Sequence, residues 1–158
     1  MRAQGRPVCV ANRHPGLSAD RRGLARALGI LDLHGARFRG GCPPGELSVA
    51  FLTDAALAVL HARFLGDPAP TDVITFEGDP PGGAAGEICV SVDAAVRLAG
   101  RGRAALAREI TLYVVHGWLH LAGYDDLAAG DRRAMRRAEA RALALIARSR
   151  AFPRFKLA

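Results

Sequence analysis

The chain has 158 residues, half of them hydrophobic and 23% charged, with a formal net charge of +7 and a sequence pI near 10.6. That length suits one domain (1–158) burying roughly two thirds of its unfolded surface, and the composition is ordinary for a soluble globular protein. No apolar run is long enough for a signal peptide or a membrane span, although Arg2 and Arg6 lie near the start, so a soluble, unexported protein without a membrane partner is expected. Cys9, Cys42 and Cys89 are far apart, odd in number and free of any C-x-x-C pattern, which excludes a disulfide framework and fits a reducing cytoplasm. The basic balance fits a polyanionic partner, but lysine occurs only once, as Lys156, amid abundant arginine, alanine and glycine, a bias that coding alone also produces.

In chain order, the apolar run from Arg6 to Asn12 predicts a strand. Ser18 is placed to cap a helix running to about Leu33, with Leu24, Leu28 and Leu31 as its apolar stripe. Gly40 to Gly45 reads as a loop, and Glu46 to Leu52 as a second strand. Thr53 then caps a helix carrying Leu57, Leu60 and Phe64, which Gly66-Asp67-Pro68 ends. Asp72 to Phe76 is strongly β-forming, Gly78 to Gly86 reads as a loop, and Glu87 to Val92 as a strand. Asp93 begins a short helix that stops at Gly100-Arg101-Gly102. A central helix follows from about Ala104 to Leu121, and a last one from Asp131 to about Arg150. Met135, Ala138, Ala142 and Leu145 form the inner stripe of that last helix, and Arg133, Arg137 and Arg141 a basic outer stripe that reads as a solvated face. Strands and helices in this order predict an α+β fold: a single domain with one four-stranded mixed sheet, its helices packed around a buried central helix.

That central helix carries the chemistry. His116 and His120 are four residues apart and so project from one face. Gly123 can end the helix, and Asp126 follows ten residues after His116. Three ligands at this spacing would hold one metal and leave a position for water. Nitrogen and carboxylate donors suit zinc, with another transition metal as the alternative. On the same side of the helix lie Glu109 and Tyr113, while Ile110, Val114, Val115, Trp118, Leu119 and Leu121 cover the rest. One of Glu109, Tyr113 and Tyr124 is expected to hydrogen-bond a ligand ring. The competing reading is two hydrogen-bonded core histidines beside a solvent-facing Asp126. Zincin peptidases share the two-histidine scaffold but place a glutamate directly after the first histidine; here that residue is Gly117.

The stretch H-G-W-L-H-L-A-G-Y-D-D, His116 to Asp126, resembles the signature H-G-x-L-H-L-x-G-Y-D-H of the YbeY family, metal-dependent endoribonucleases of bacterial rRNA maturation. Pro70-Thr71-Asp72-Val73-Ile74-Thr75-Phe76, followed by Gly86-Glu87-Ile88-Cys89-Val90-Ser91, is similar to a second family segment, so the resemblance extends from about Glu46 onward. It implies a zinc-dependent, single-strand-specific endoribonuclease acting in 16S rRNA 3′-end maturation and ribosome quality control. The implied partners are rRNA and the small ribosomal subunit, in the cytoplasm. His116, His120 and Asp126 would hold the metal and its water, and Thr71, Asp72 and Glu87 would line the cleft. Two departures stand out. Asp126 replaces the usual third histidine, and Leu65, ahead of Gly66, replaces the family's usual arginine. Arg63, Arg101 and Arg103 are the candidate RNA-contacting cations in its place. The alternatives are a metallopeptidase-like hydrolase and a non-catalytic ribosome-associated factor with a structural metal.

Overall fold

A computed structural model describes residues 5–67 and 71–158; Arg2, Pro68 and Pro70 lie outside the described residues. In chain order the elements are β1 (Val8–Asn12), β2 (Leu17–Ala19), α1 (Arg21–Leu33), β3 (Glu46–Leu52), α2 (Asp54–Leu65), β4 (Val73–Asp79), β5 (Ala84–Ser91), α3 (Val92–Ala99), α4 (Arg103–Leu121), α5 (Ala129–Arg148) and β6 (Phe155–Leu157). Four strands form a mixed sheet in the order β1-β3-β5-β4, in which β1, β3 and β5 run parallel and β4 pairs antiparallel with β5. The two inner strands, β3 and β5, end in unbroken buried runs, as strands covered on both faces do.

Alternation along these strands divides the core. Leu47, Val49, Phe51, Ile88 and Val90 face α4 and the main cluster built from α1, α4 and α5. Ala50, Leu52, Ile74 and Cys89 face the other way, under Leu57 of α2. The central helix is as deeply placed as its composition demands: Leu106, Ile110, Trp118 and Leu119 are fully buried. Trp118 meets Phe38 edge-on at 5.5 Å and donates its indole N–H to Asp32 Oδ1 at 3.0 Å. Asp32 in turn pairs with Arg6 at 2.7 Å, so its charge is not left unpaired beside the core.

Several boundaries differ from the sequence expectation, each for a tertiary reason. Ser18 does not cap α1, because residues 17–19 are held extended against Phe155–Leu157 in a small antiparallel sheet. Asp20 caps instead, its Oδ1 accepting the Gly23 N–H at 2.9 Å. Asp20→Ala should therefore lower the unfolding free energy by about 1 kcal/mol and Ser18→Ala by less than half of that, measurable by urea denaturation. The stretch from Gly78 to Gly86 is mostly hairpin rather than loop, since β4 stays paired to β5 out to Asp79↔Ala84 around a short turn at Pro80–Gly82. Ser91 caps α3, its Oγ accepting from Ala94 N at 3.0 Å. Asp93 lies within the first turn and binds His14 Nε2 at 2.9 Å and Asp54 N at 2.8 Å. Thr53 caps α2 as expected, accepting from Ala56 N at 3.2 Å.

The inner stripe of α5 is buried throughout. Of the outer stripe, Arg133 and Arg137 are exposed, but Arg141 is half-buried, stacking 5.5 Å from the Phe38 ring and reaching the Tyr124 hydroxyl at 3.3 Å. Cys9 is exposed, whereas burial pushes the Cys42 thiol up to about 11 and Cys89 up to about 12. Since the thiolate is the nucleophile, iodoacetamide at neutral pH should alkylate Cys9 alone in the folded chain, with all three cysteines modified after denaturation, as read by mass spectrometry.

Candidate metal centre

The C-terminal turn of α4 brings two imidazoles together at its half-exposed end. His116 Nε2 and His120 Nε2 are 3.0 Å apart, with the rings edge-to-face. Gly123 ends the helix with a φ of +102°, a value that L side chains rarely adopt. Its N–H bonds His120 O at 3.0 Å, and the Tyr124 N–H bonds Leu119 O at 3.0 Å. Arg39 pins the turn from outside, donating to Gly123 O at 3.2 Å and stacking 4.1 Å over the Tyr124 ring. The chain then doubles back and delivers Asp126, with Oδ2 at 3.3 Å from His116 Nε2 and Oδ1 at 3.7 Å from His120 Nε2.

One donor atom from each of these three residues lies within 4.8 Å of the others. Two ligands each about 2.0–2.1 Å from a tetrahedral ion stand roughly 3.3 Å apart, and the observed separations bracket that value. Two imidazoles and one carboxylate also make a donor set suited to a transition ion. These residues fit a metal. With side-chain exposures of 19%, 28% and 39% for His116, His120 and Asp126, one side of the trio faces solvent, which leaves room for a reactant.

Behind the trio stands a residue that the sequence reading did not single out. Glu139 of α5 places Oε1 2.8 Å from His116 Nδ1, which fixes the ring and leaves Nε2 turned to the cluster. For His116 the partner is therefore Glu139 and not Glu109, Tyr113 or Tyr124, whereas the His120 ring is hydrogen-bonded to the backbone of Tyr124. Burial pulls the His116 pKa down, but the Glu139 hydrogen bond, with the charges of Glu139, Asp126 and Asp72, outweighs it and leaves the ring above the ordinary imidazole value. His120 moves the other way, lowered by burial and by its neighbour His116. The pair is thus divided into one ring held by an acid and one kept neutral. A signal for Glu139 did exist: it is the only carboxylate of α5 after Asp131, and it borders the apolar stripe of an otherwise basic helix.

A cavity of about 280 Å³ opens beside the trio, lined by Asp72, Glu109, Tyr113, His116, Asp126 and Glu139. Burial, reinforced by the charges of Glu109 and Asp72, holds the Tyr113 phenol well above its usual pKa, so it stays protonated. An adjoining cavity of about 460 Å³ shares Asp72 and Tyr113 and adds Thr71 and Arg97, the last paired with Asp54. On the other flank, about 430 Å³ is bounded by His120, Thr75, Asp125 and Leu65. Asp72 is therefore brought beside the cluster, and Thr71 lines only the adjoining cavity. Glu87 reaches neither, because its strand neighbour Ile88 faces α4 while Glu87 lies on the Cys89 side, 3.7 Å from that thiol. Arg63 is exposed on α2 over its own neighbour Phe64. Arg103 opens α4, thirteen residues before His116 and so about 20 Å along the helix, and Arg101 precedes it. Of the other arginines, Arg97 lines the adjoining cavity, while Arg39 and Arg141 contact the Gly123–Tyr124 turn.

Gly117, where a zincin carries its glutamate, faces the sheet. A Cβ there would come within 2.5 Å of Ile88 Cγ2, so any side chain at this position would be driven into β5 and away from the ligands.

A family model described as Endoribonuclease YbeY matches residues 24–147. The chain belongs to the endoribonuclease YbeY family. Among curated YbeY endoribonucleases, that of Chlamydia muridarum is 43% identical over 112 residues, 67% of this chain and 70% of the relative. The Anaeromyxobacter YbeY is 36% identical over 137 residues, 84% of this chain and 68% of the relative. The solution structure of TM1509 from Thermotoga maritima shares the fold at a TM-score of 0.56 and 22% identity, over 90% of this chain and 91% of that one. Leu65, at the position where the YbeY resemblance leads one to expect an arginine, makes an apolar wall beside His120 in this chain.

Proposed function

We propose that this chain is a metal-dependent endoribonuclease that hydrolyses single-stranded RNA at the α4 cleft and acts in maturation of the 16S rRNA 3′ end on the small ribosomal subunit, in the cytoplasm. The observation that carries the reading is the convergence of His116, His120 and Asp126 at an open cavity, on a chain whose relatives are endoribonucleases. No helix among the described residues is long and apolar enough to cross a membrane. The net charge of +7 favours a polyanionic substrate.

In this reading His116, His120 and Asp126 hold one zinc ion. Such an ion supplies Lewis acidity toward a phosphoryl oxygen and toward the attacking water. The remaining steps fall to the chain itself. Glu139 keeps the His116 donor nitrogen turned to the cluster. Asp72 and Glu109, on the cavity wall, are the carboxylates placed to accept the proton that the attacking water loses. Tyr113, held protonated, stands between the two connected cavities as a hydrogen-bond donor for the leaving oxygen. Arg97, on the wall of the larger cavity, meets the phosphate next to the one being cut, a role that Leu65 cannot fill. The peptidase alternative lacks its base, since position 117 faces Ile88.

The test pairs elemental analysis of purified protein with cleavage of a labelled single-stranded RNA and its duplex form, each with and without chelator. Stoichiometric metal together with chelator-sensitive, single-strand-selective cleavage is expected. Metal-loaded protein that leaves both RNAs intact would point to the structural-metal alternative.

A further inference from the structure

A groove larger than the cavities at the C-terminal end of α4 lies elsewhere among the described residues. It has a volume of about 830 Å³ and lies at the other end of that helix, between its first two turns, β2 and the β6 segment. The volume is within the range of built ligand pockets, about 300–1,000 Å³. Ala104, Ala107, Pro153 and Phe155 contribute apolar surface to it. Arg103, Arg108, Arg154 and Lys156 surround it, all exposed, and none has an ion-pair partner among the described residues. The one carboxylate on its border, Asp20, is already engaged by the N–H groups of Gly23 and Arg154. The positive end of α4 opens on the same groove, its cap Gly102 offering no side chain.

Four unneutralised cations around an apolar floor complement an occupant that is both anionic and apolar. We propose that this groove docks an acidic peptide segment of a partner protein, with aliphatic side chains on the floor and carboxylates against Arg103, Arg108, Arg154 and Lys156. RNA fits the floor less well. Single-stranded RNA is held by stacking its bases on exposed aromatic faces; of the two aromatic rings on the lining, Phe155 is only 2% exposed and Phe152 is half-buried against the core, which leaves one partly covered ring and no run of stacking faces. The α4 residues of the groove, Arg103 to Arg108, lie about 12–20 Å along the helix from His116, so it can be filled while the cleft is engaged, and the proposal stands whether or not that cleft cuts RNA.

The experiment titrates the isotope-labelled full chain with a short peptide of alternating glutamate and leucine, followed by amide chemical shifts, beside a lysine–leucine peptide and a short oligouridylate. The expected result is saturable binding of the acidic peptide alone, with shifts at Ala104, Ala107 and Lys156 and none at His120. Arg103→Glu with Arg154→Glu should weaken that binding by roughly tenfold or more. Arg133→Glu with Arg137→Glu changes the net charge equally on an exposed face of α5 and should leave it unaltered. The proposal is overturned if the acidic peptide does not bind, if both double variants weaken it equally, or if the oligouridylate produces the groove shifts in its place.

Discussion

Asp126→Ala is expected to strip the metal from the purified protein and abolish RNA cleavage, while Asp125→Ala keeps both. The two aspartates are adjacent, both lie toward solvent, and a reading based on surface charge alone treats them alike. The geometry separates them. Asp126 brings its oxygens to 3.3 and 3.7 Å from the two imidazole nitrogens, whereas Asp125 turns Oδ1 back to accept the Asp126 N–H at 2.7 Å. Removing a residue that merely orients a ligand costs about 10–100-fold in affinity, so losing one of three ligands should cost more than about a hundredfold. As a local turn-former on the surface, Asp125 should cost less than about 0.5 kcal/mol in stability. Asp126→His retains a donor and should retain metal. The readouts are metal stoichiometry after dialysis and cleavage rate for the three variants side by side. Loss of metal from Asp125→Ala with retention by Asp126→Ala would show the ligand register to be off by one residue. Retention by both would place the third ligand elsewhere and remove the basis for the mechanism.

The convergence of His116, His120 and Asp126 was legible in the sequence because its geometry is local. A separation of four along a helix places His116 above His120, and a glycine at 123 permits the sharp turn that returns Asp126; neither depends on the rest of the fold. The burial of α4 was legible for a similar reason, since apolar residues on nearly every side leave no face for solvent. What escaped depends on partners distant in sequence. The sheet of residues 17–19 with 155–157 joins opposite ends of the chain, and three-residue strands carry no readable period. That pairing also decides between Ser18 and Asp20, two residue types equally able to cap a helix. The hairpin through Gly78 was hidden by a composition rich in glycine and proline, although pairing with β5 supplies the backbone partners there. For the cations, composition offered many arginines and no means of ranking them. Arg97 comes to the adjoining cavity from α3 and Arg39 to the Gly123–Tyr124 turn from the loop after α1, so only the packing of those elements on α4 could identify them.

Glu139 is the sharpest case of a contact to the trio set by packing, and its removal is the second expected result. Glu139→Gln should lower metal affinity about 10–100-fold and leave the folded chain intact. The argument runs through His116. With Oε1 2.8 Å from Nδ1, the carboxylate accepts the Nδ1 proton, selects the tautomer with a free lone pair on Nε2, and adds negative charge that makes that nitrogen a better donor. A glutamine keeps the shape and can still accept through its carbonyl oxygen, but it loses the charge, and its amide can also turn to donate, which would favour the wrong tautomer. Glu139→Ala removes orientation as well and should fall at or beyond the far end of that range. Glu109→Gln is the matched control, a carboxylate in the same cavity that does not bind His116, and it should leave metal affinity unchanged even if it slows cleavage. Titrating a competing chromogenic chelator against each metal-loaded variant gives the affinities directly. Equal affinities in Glu139→Gln and the parent chain, with the His116 ring unmoved, would mean that the α5 contact supports packing alone and that the trio orients itself.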